Sequence, residues 1–498
     1  MDGRTREGDA YAVLTDAGEL VFFRSEGSYE DGKVAHARDV LGNEYEGVVW
    51  CGVETRRWGW DHKPGWTDGY HSGHITSVRI ADGQAIAPAS CAWWFSEAYD
   101  MTSCDLSGLD TSNVISMCGM FEGCESLRVP PDTSKWDTSN VTTVGGMFSH
   151  CHSLATPPDT SKWDTSRVEK MNHVFEGCES LVAPPDVSGW DTSNVTDMSG
   201  MFMSCHNLKE PPDTSKWDTS MVMDMGCMFS CCRSLRTPPD TSRWDTSNVT
   251  SMREMFFFCH SLKTPPDTSG WDTSKVTNMN SILCLCTALV APPDTSGWDT
   301  SRVEDMGCMF DGCHSLVSPP DTSRWDVSKV KTMSLMFRGC SALTAPPDTS
   351  KWDTSRVEDV GCMFDGCKSF PTPPDTSGWD VSKVRDMYSM FHSCASLASP
   401  PDTSRWDTTR VGDMGHMFYG CSSLRVPPDT SRWDTSRVED MGYMFCDCHS
   451  LQTPPDMSGW DTSISGRDAS SVRHMFSGCE SLESEPVLPL PNRDGGAR

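Results

Sequence analysis

The chain has no long apolar run. Nowhere in its 498 residues is there an uncharged stretch long enough to span a bilayer as a helix. Its opening, MDGRTREGDAYAVL, lacks the apolar centre of a secretory signal. Its ending, PVLPLPNRDGGAR, carries no hydrophobic tail and no lipidation cysteine. On this reading neither an export signal nor an anchor is visible. Basic residues are also scarce, 41 Lys and Arg against 70 Asp and Glu. That balance argues against nucleic acid or an anionic membrane as the default partner, because both demand basic surface. Catalytic hardware is missing too. No phosphate-binding loop, nucleophile elbow, paired-carboxylate site or metal motif interrupts the chain. The expectation is a protein that is not an enzyme and needs no cofactor.

What is present is repetition. Trp136, Trp163, Trp190 and their successors recur every 27 residues to Trp460, and Cys124, Cys151 and Cys178 open a parallel column that runs to Cys448. A fixed period of this size marks a solenoid or a similar array, in which each unit buries its apolar side only against its neighbours. The spacing predicts three regions: a β-rich N-terminal cap over 1–90, the array over 91–482, and a flexible tail over 483–498. In the first, Tyr11–Leu14 and Leu20–Phe23 flank Asp16-Ala17-Gly18-Glu19 as a hairpin, with further strands at Gly47–Val53 and Ile75–Ile80. The loop bearing Trp58, Trp60 and Trp66 reads as packing that closes this domain, with a carbohydrate or peptide contact as the other reading. Cys51, His71 and His74 match no zinc spacing. The array starts with a degenerate coil, Trp93-Trp94 standing 27 residues ahead of Met120-Phe121.

Inside each unit the positions separate by chemistry. Val144, Met147, Phe148 and Cys151 fall at i, i+3, i+4 and i+7, the apolar stripe of a short helix. Gly123, Gly177 and Gly312 stand just before the column cysteine, where such a helix would stop. The paired prolines, as at Pro130-Pro131, cannot donate to a ladder and read as an extended corner. The TS-x-V segment after each Trp is the candidate strand, with Val141, Val168 and Val195 inward. Asp132 and Asp137 head two carboxylate columns, one for each DTS triplet. A calcium array and an ice-binding face are the other readings of these columns, and local turn chemistry accounts for them best, helped by basic residues such as Lys135, Arg167, Lys275, Arg302 and Arg437. The column cysteines sit among Met and Phe. Stacked coils leave two outcomes open for them, buried free thiols or bridges.

Varied side chains on this frame fall at Glu169, Lys170, Glu304, Asp305, Lys331, Thr332, Arg385 and Asp386. They fit a binding surface, and they fit an unconstrained solvent face equally well.

The units resemble the repeats of BspA-type bacterial surface proteins, a divergent leucine-rich-repeat group. WDTSNVTDMSGMF at 190–202 and MFDGCHSL at 309–316 carry the resemblance, with the lead-in AYAVLTDAGELVFF. Pro-Pro stands where those repeats usually place a strand pair. The resemblance implies a right-handed, leucine-rich-repeat-like solenoid of about 14 coils, each with a short helix and a short extended segment. It further implies a cell-surface or secreted protein that adheres to a protein or glycan on host, matrix or neighbouring cells. A structural spacer without a ligand of its own is the other reading.

Overall fold

The computed structural model describes residues 8–56, 63–461 and 474–483. The chain divides into two compact units, Met1–Asn248 and Val249–Arg498. Trp58, Trp60 and the tail beyond Glu483 lie outside the described residues.

The first unit opens on a six-stranded sheet: β1 (Ala10–Thr15), β2 (Glu19–Arg24), β3 (Lys33–Arg38), β4 (Glu44–Cys51), β5 (Ser77–Ile80) and β6 (Ser103–Asp105), in the order β3-β4-β1-β2-β5-β6. The hairpin forms as its turn sequence predicts, with Leu14 opposite Leu20. Strand β3 was not anticipated. It lies at the sheet edge and its KVAHAR sequence is mostly exposed, so it carries no apolar alternation to read. Alternation works well on β1 and β2. Tyr11, Val13, Val21 and Phe23 pack one face of the sheet. Phe22 points to the other, where it stacks on Trp94 at 4.8 Å and meets Trp66 edge-on. Trp66 is buried and donates its indole N–H to the Trp94 carbonyl oxygen at 2.6 Å, so this loop tryptophan is packing.

Strands β2, β5 and β6 pair in parallel, and this parallel pairing continues as the coil-to-coil contact of the repeats. Phe95, not Trp94, joins the Phe column, 5.3 Å from Phe121. Cys124 lies 29 residues after the Phe carbonyl it meets, where Cys151 lies 30 after its own. The first coil is therefore one residue shorter than the sequence spacing suggests.

The expected short helix is absent. Among the described residues regular helix is confined to two single 3₁₀ turns, Gly65–Thr67 and Ser72–His74. In the segment after Val144 the backbone donors alternate. Met147, Ser149 and Cys151 bond three residues back, to Val144, Gly146 and Phe148. Val144, Gly146, Phe148 and His150 instead donate to Lys170, Asn172, Val174 and Glu176 of the next coil. Gly146 and His150 have φ of 63° and 57°, and a left-handed residue every fourth position stops an α-helix from propagating. The spacing i, i+3, i+4, i+7 still points inward, because three-residue turns return the chain to the same side. The glycines read as a helix stop do need a positive φ (Gly123 71°, Gly177 69°), but inside this turn ladder.

A second expectation shifts as well. The TS-x-V segment is a turn, with Val141 N–H bonding the Thr138 carbonyl, and the parallel bridge falls two residues after the Val. Each bridge is one residue wide: Ser116, Thr143, Lys170, Asp197 and Asp224 in the first unit, Ser251 to Asp440 in the second. Val141, Val168 and Val195 are nevertheless fully inward.

The interior is a set of ladders. Phe121, Phe148 and Phe175 stack 5.1–5.8 Å apart, and Trp298, Trp325 and Trp352 about one coil apart at 6.1–6.4 Å. Fully burying one such ring contributes about 1.5–3 kcal/mol. The indole N–H groups of Trp163, Trp190, Trp325 and Trp352 find no partner among the described residues, a cost that ring burial offsets. The column thiols stay unbridged. Cys151 donates to the Phe121 carbonyl oxygen at 3.1 Å and Cys340 to that of Phe310 at 3.2 Å. Burial pushes the Cys286 thiol up to about 12, so it behaves as a small apolar group with one weak donor.

Candidate functional site

The turn hardware must be separated from the free surface. In each DTS triplet the Asp carboxylate accepts the N–H of the residue two positions on, as Asp137 does from Ser139 at 3.0 Å. The Thr is buried and donates to the next coil. Thr138 Oγ1 reaches the Asp164 carbonyl oxygen at 2.9 Å and Thr354 Oγ1 that of Asp380 at 2.9 Å. Hydrogen bonds from Ser382 come first in holding the Asp380 carboxyl below its usual range, and the charge of Lys383 comes last. The carboxylate columns are therefore stabilised chiefly by turn hydrogen bonds. The basic columns are a minor help, and their side chains are left to solvent.

The eight candidate residues split by parity. Glu169, Glu304, Lys331 and Arg385 are exposed, each with its N–H on the carbonyl one coil earlier: Thr142, Thr277, Glu304 and Glu358. Their side chains form a charge ladder. Lys331 meets Glu304 at 2.6 Å and Arg385 meets Glu358 at 3.6 Å. Lys170, Asp305, Thr332 and Asp386 are the bridge residues one position on. Three of these turn back into the coil, Asp305 capping Gly307 N–H at 2.9 Å, Thr332 Ser334 N–H at 3.3 Å and Asp386 Tyr388 N–H at 2.8 Å. Those three form turns and present little to a partner, whereas Lys170 remains exposed.

In the sequence one column figures only as charge compensation for the aspartates. The residue before the inward Val is Lys275, Arg302, Lys329, Arg356, Lys383, Arg410 and Arg437 through the second unit, and each is exposed. In the first unit the same column holds Asn140, Arg167, Asn194, Met221 and Asn248. Arg385, Arg410 and Arg437, with Thr409, Asp434 and Ser436, line an open depression of about 500 Å³. The signal was legible as one sign of charge held at one position through consecutive units of an acidic chain.

Two other depressions lie in the first unit. One, about 470 Å³, is lined by Asp16, Tyr70, His71, His74 and Asp100 among others. His71 Nδ1 is engaged by Asp68 at 2.6 Å, and the ring packs edge-on against Trp50. No serine or cysteine lines this depression to serve as a nucleophile. The second, about 290 Å³, holds Glu122, His150, His173 and Glu176. Burial pushes the Glu122 carboxyl up. Among the described residues no three His, Cys, Asp or Glu side chains gather as metal ligands, and no helix is long and apolar enough to cross a membrane.

Comparison with curated proteins gives no match to the sequence. Among solved structures the fold is similar to a leucine-rich repeat protein from Bacteroides ovatus ATCC 8483. Identity is 13%, coverage 97% of this chain and 93% of that one, and the TM-score 0.29. A leucine rich cell surface protein from Faecalibacterium prausnitzii A2-165 gives 12% identity, 96% and 93% coverage, and a TM-score of 0.25. Both superpositions are loose. The family described as "Mycoplasma protein of unknown function, DUF285" matches four times in tandem, over residues 89–212, 178–293, 286–403 and 397–487. These matches span most of the chain, and the protein belongs to the DUF285 family.

Proposed function

We propose that this protein is a non-enzymatic binding protein of a bacterial surface, displayed or secreted, whose array presents an adhesive face to a protein partner. The reading includes a right-handed array of about 14 coils over 91–482, capped by residues 1–90 and followed by a tail over 483–498. One observation carries it: side chains vary on the exposed ladder of Glu169, Glu304, Lys331, Glu358 and Arg385, while the buried Trp, Val, Phe and Cys positions beside it repeat. A regular frame with a free outer column is how repeat proteins build recognition surfaces. The BspA resemblance and the cell-surface description of one structural relative agree with it.

The spacer reading has its own support. Glu304 and Lys331 already satisfy one another, and a ladder that pairs with itself needs no ligand. Binding of the full chain to immobilised matrix proteins separates the two. Alanine at Glu304, Lys331, Glu358 and Arg385 together should abolish capture by a partner. A blank across the panel, with wild-type function in cells after these changes, would favour the spacer.

A further inference from the structure

The cysteine column meets water at one end. Every member from Cys124 to Cys448 is buried, whereas Cys479 is partly exposed. Cys479 lies in the coil segment 474–483. Phe445 and Asp447 hold that segment, donating their N–H groups to the Met475 and Ser477 carbonyl oxygens at 3.0 and 2.7 Å. Phe445 and Phe476 stack at 5.6 Å, so the register of the columns continues into it. Coils joined by parallel bridges stand about 4.7–4.9 Å apart, inside the Cα range of about 4.4–6.8 Å that a disulfide accepts.

The two thiols at this end are already in contact. Cys448 and Cys479 lie within side-chain hydrogen-bonding reach of one another. Each also donates to a Phe carbonyl oxygen of the coil before, Cys448 to Phe418 at 3.1 Å and Cys479 to Phe445 at 3.0 Å. Their acidities are driven apart. A thiolate at Cys479 gains the Cys448 thiol as donor, and the Cys448 N–H besides, which outweighs partial burial and holds Cys479 below the ordinary thiol range. The same contact, followed by burial, holds Cys448 well above it. Such a difference separates an attacking thiol from the neighbour that completes the exchange.

Other cysteines lack one half of this arrangement. Cys124 and Cys151 are in similar contact, but both are sealed from water. Cys118, Cys308 and Cys362 are partly exposed, and burial pushes all three up, Cys362 to about 11. Cys446 is buried beside the pair, and burial pushes it up to about 11.

We propose that Cys479 and Cys448 form a thiol–disulfide clasp, oxidised by a low-molecular-weight disulfide, that staples the segment 474–483 to the array. The Cys479 thiolate attacks one sulfur of the small disulfide RSSR, forming a Cys479–S–S–R bond and expelling RS⁻. Cys448 then gives up its proton and attacks Cys479 Sγ, expelling the second RS⁻. One Cys448–Cys479 bond forms and RSSR is reduced to two RSH, whose protons come from the two protein thiols. The clasp does not depend on what the array binds.

The test uses the full chain, reduced, freed of reductant and incubated with glutathione disulfide at neutral pH, then quenched in acid and mapped as peptides. The peptides bearing Cys448 and Cys479 should lose two hydrogens and run as one crosslinked species. Brief alkylation of the reduced chain should label Cys479 at least about tenfold faster than Cys340. Cys448→Ser should trap glutathione on Cys479, and Cys446→Ser should leave the crosslink unchanged. In the crosslinked chain the Phe445 and Asp447 amides should exchange hydrogen more slowly than in the reduced chain. No reaction at Cys479, a lasting glutathione adduct in the wild-type chain, a Cys446–Cys479 crosslink, or alkylation of Cys340 ahead of Cys479 would overturn the proposal. So would a crosslink that leaves both amides exchanging at the reduced rate, because nothing would then be stapled. These readings come from the wild-type chain, so they decide the matter even where a variant fails to fold.

Discussion

The two units use one coil to different ends. Inward they are alike: Phe175 and Phe337, Trp163 and Trp352, Cys178 and Cys340 occupy the same slots and are buried to the same degree. Outward they diverge. The column that holds hydrogen-bonding asparagines at 140 and 194 becomes a file of cations from 275 to 437. The left-handed column diverges too. In the first unit it mixes Gly119, Gly146 and Gly200 with His173 and Cys227, whereas in the second Glu254, Ser281, Cys308, Leu335, Cys362, Ser389, His416 and Tyr443 hold the same positive φ without a glycine. Burial constrains the first group of positions, so they repeat. Solvent constrains the second only weakly, and there the units drift apart.

Loss of a stacked indole puts the likeness under the most stress. Trp163→Ala and Trp352→Ala each remove a buried indole from a stacked column and should cost about 3–5 kcal/mol in the unit that carries them. Urea unfolding with hydrogen exchange would read the loss. A difference between the two variants larger than about 2 kcal/mol would show that the shared interior is not equally stressed. Next come the Thr ladders. Thr165→Val and Thr354→Val each delete one hydrogen bond to the coil ahead and should cost about 1 kcal/mol. Val327 and Val381 already occupy this column, so the shape is accepted.

How far the sequence foretold this can be judged from particular residues. The inward identity of Trp, Val, Met, Phe and Cys was legible, because a 27-residue period marks the core whatever backbone carries it. The expected helix gives way to turns because Val144, Met147, Phe148 and Cys151 sit at spacings that a helix and a chain of three-residue turns share. The positive φ of His150 and Leu335 distinguishes the two, and side-chain type does not reveal it there. Of the candidate site, Glu304, Lys331 and Arg385 are exposed as expected. Asp305 and Asp386 are not free, because an Asp two residues ahead of a turn N–H caps it. The cation file was read as neutralising the DTS aspartates. The Ser N–H bonds that do most of that work depend on a turn geometry that charge pattern alone does not disclose.

The left-handed column offers a smaller contrast. Leu335 holds φ at 59°, a conformation that costs a branched residue about 1 kcal/mol and glycine nothing. Leu335→Gly should therefore stabilise the second unit, by roughly 0.5 kcal/mol once the looser unfolded chain is counted. Gly146→Leu, at φ 63°, should destabilise the first unit by a similar margin or more. Thermal unfolding of the pair decides it, and the same sign of shift in both variants would break the argument.

The smallest effect belongs to the bridge column, where both units carry aspartate. Burial, followed by the like charge of Asp386, raises the Asp359 carboxyl above its usual value, although Gly361 N–H bonds it at 2.9 Å. Ionised Asp359 thus opposes folding at neutral pH. Asn278 fills the same column and caps Asn280 N–H at 2.9 Å, so the amide fits the turn. Asp359→Asn should stabilise the protein by a few tenths of a kcal/mol at pH 7. Because the folded carboxyl is raised, the gain should persist above its folded value. It should fade as pH falls toward the ordinary carboxylate range, where wild-type Asp359 is protonated in both states. A gain that grows on acidification would mean that Asp359 is stabilised as the anion, and that the column helps to hold the second unit together.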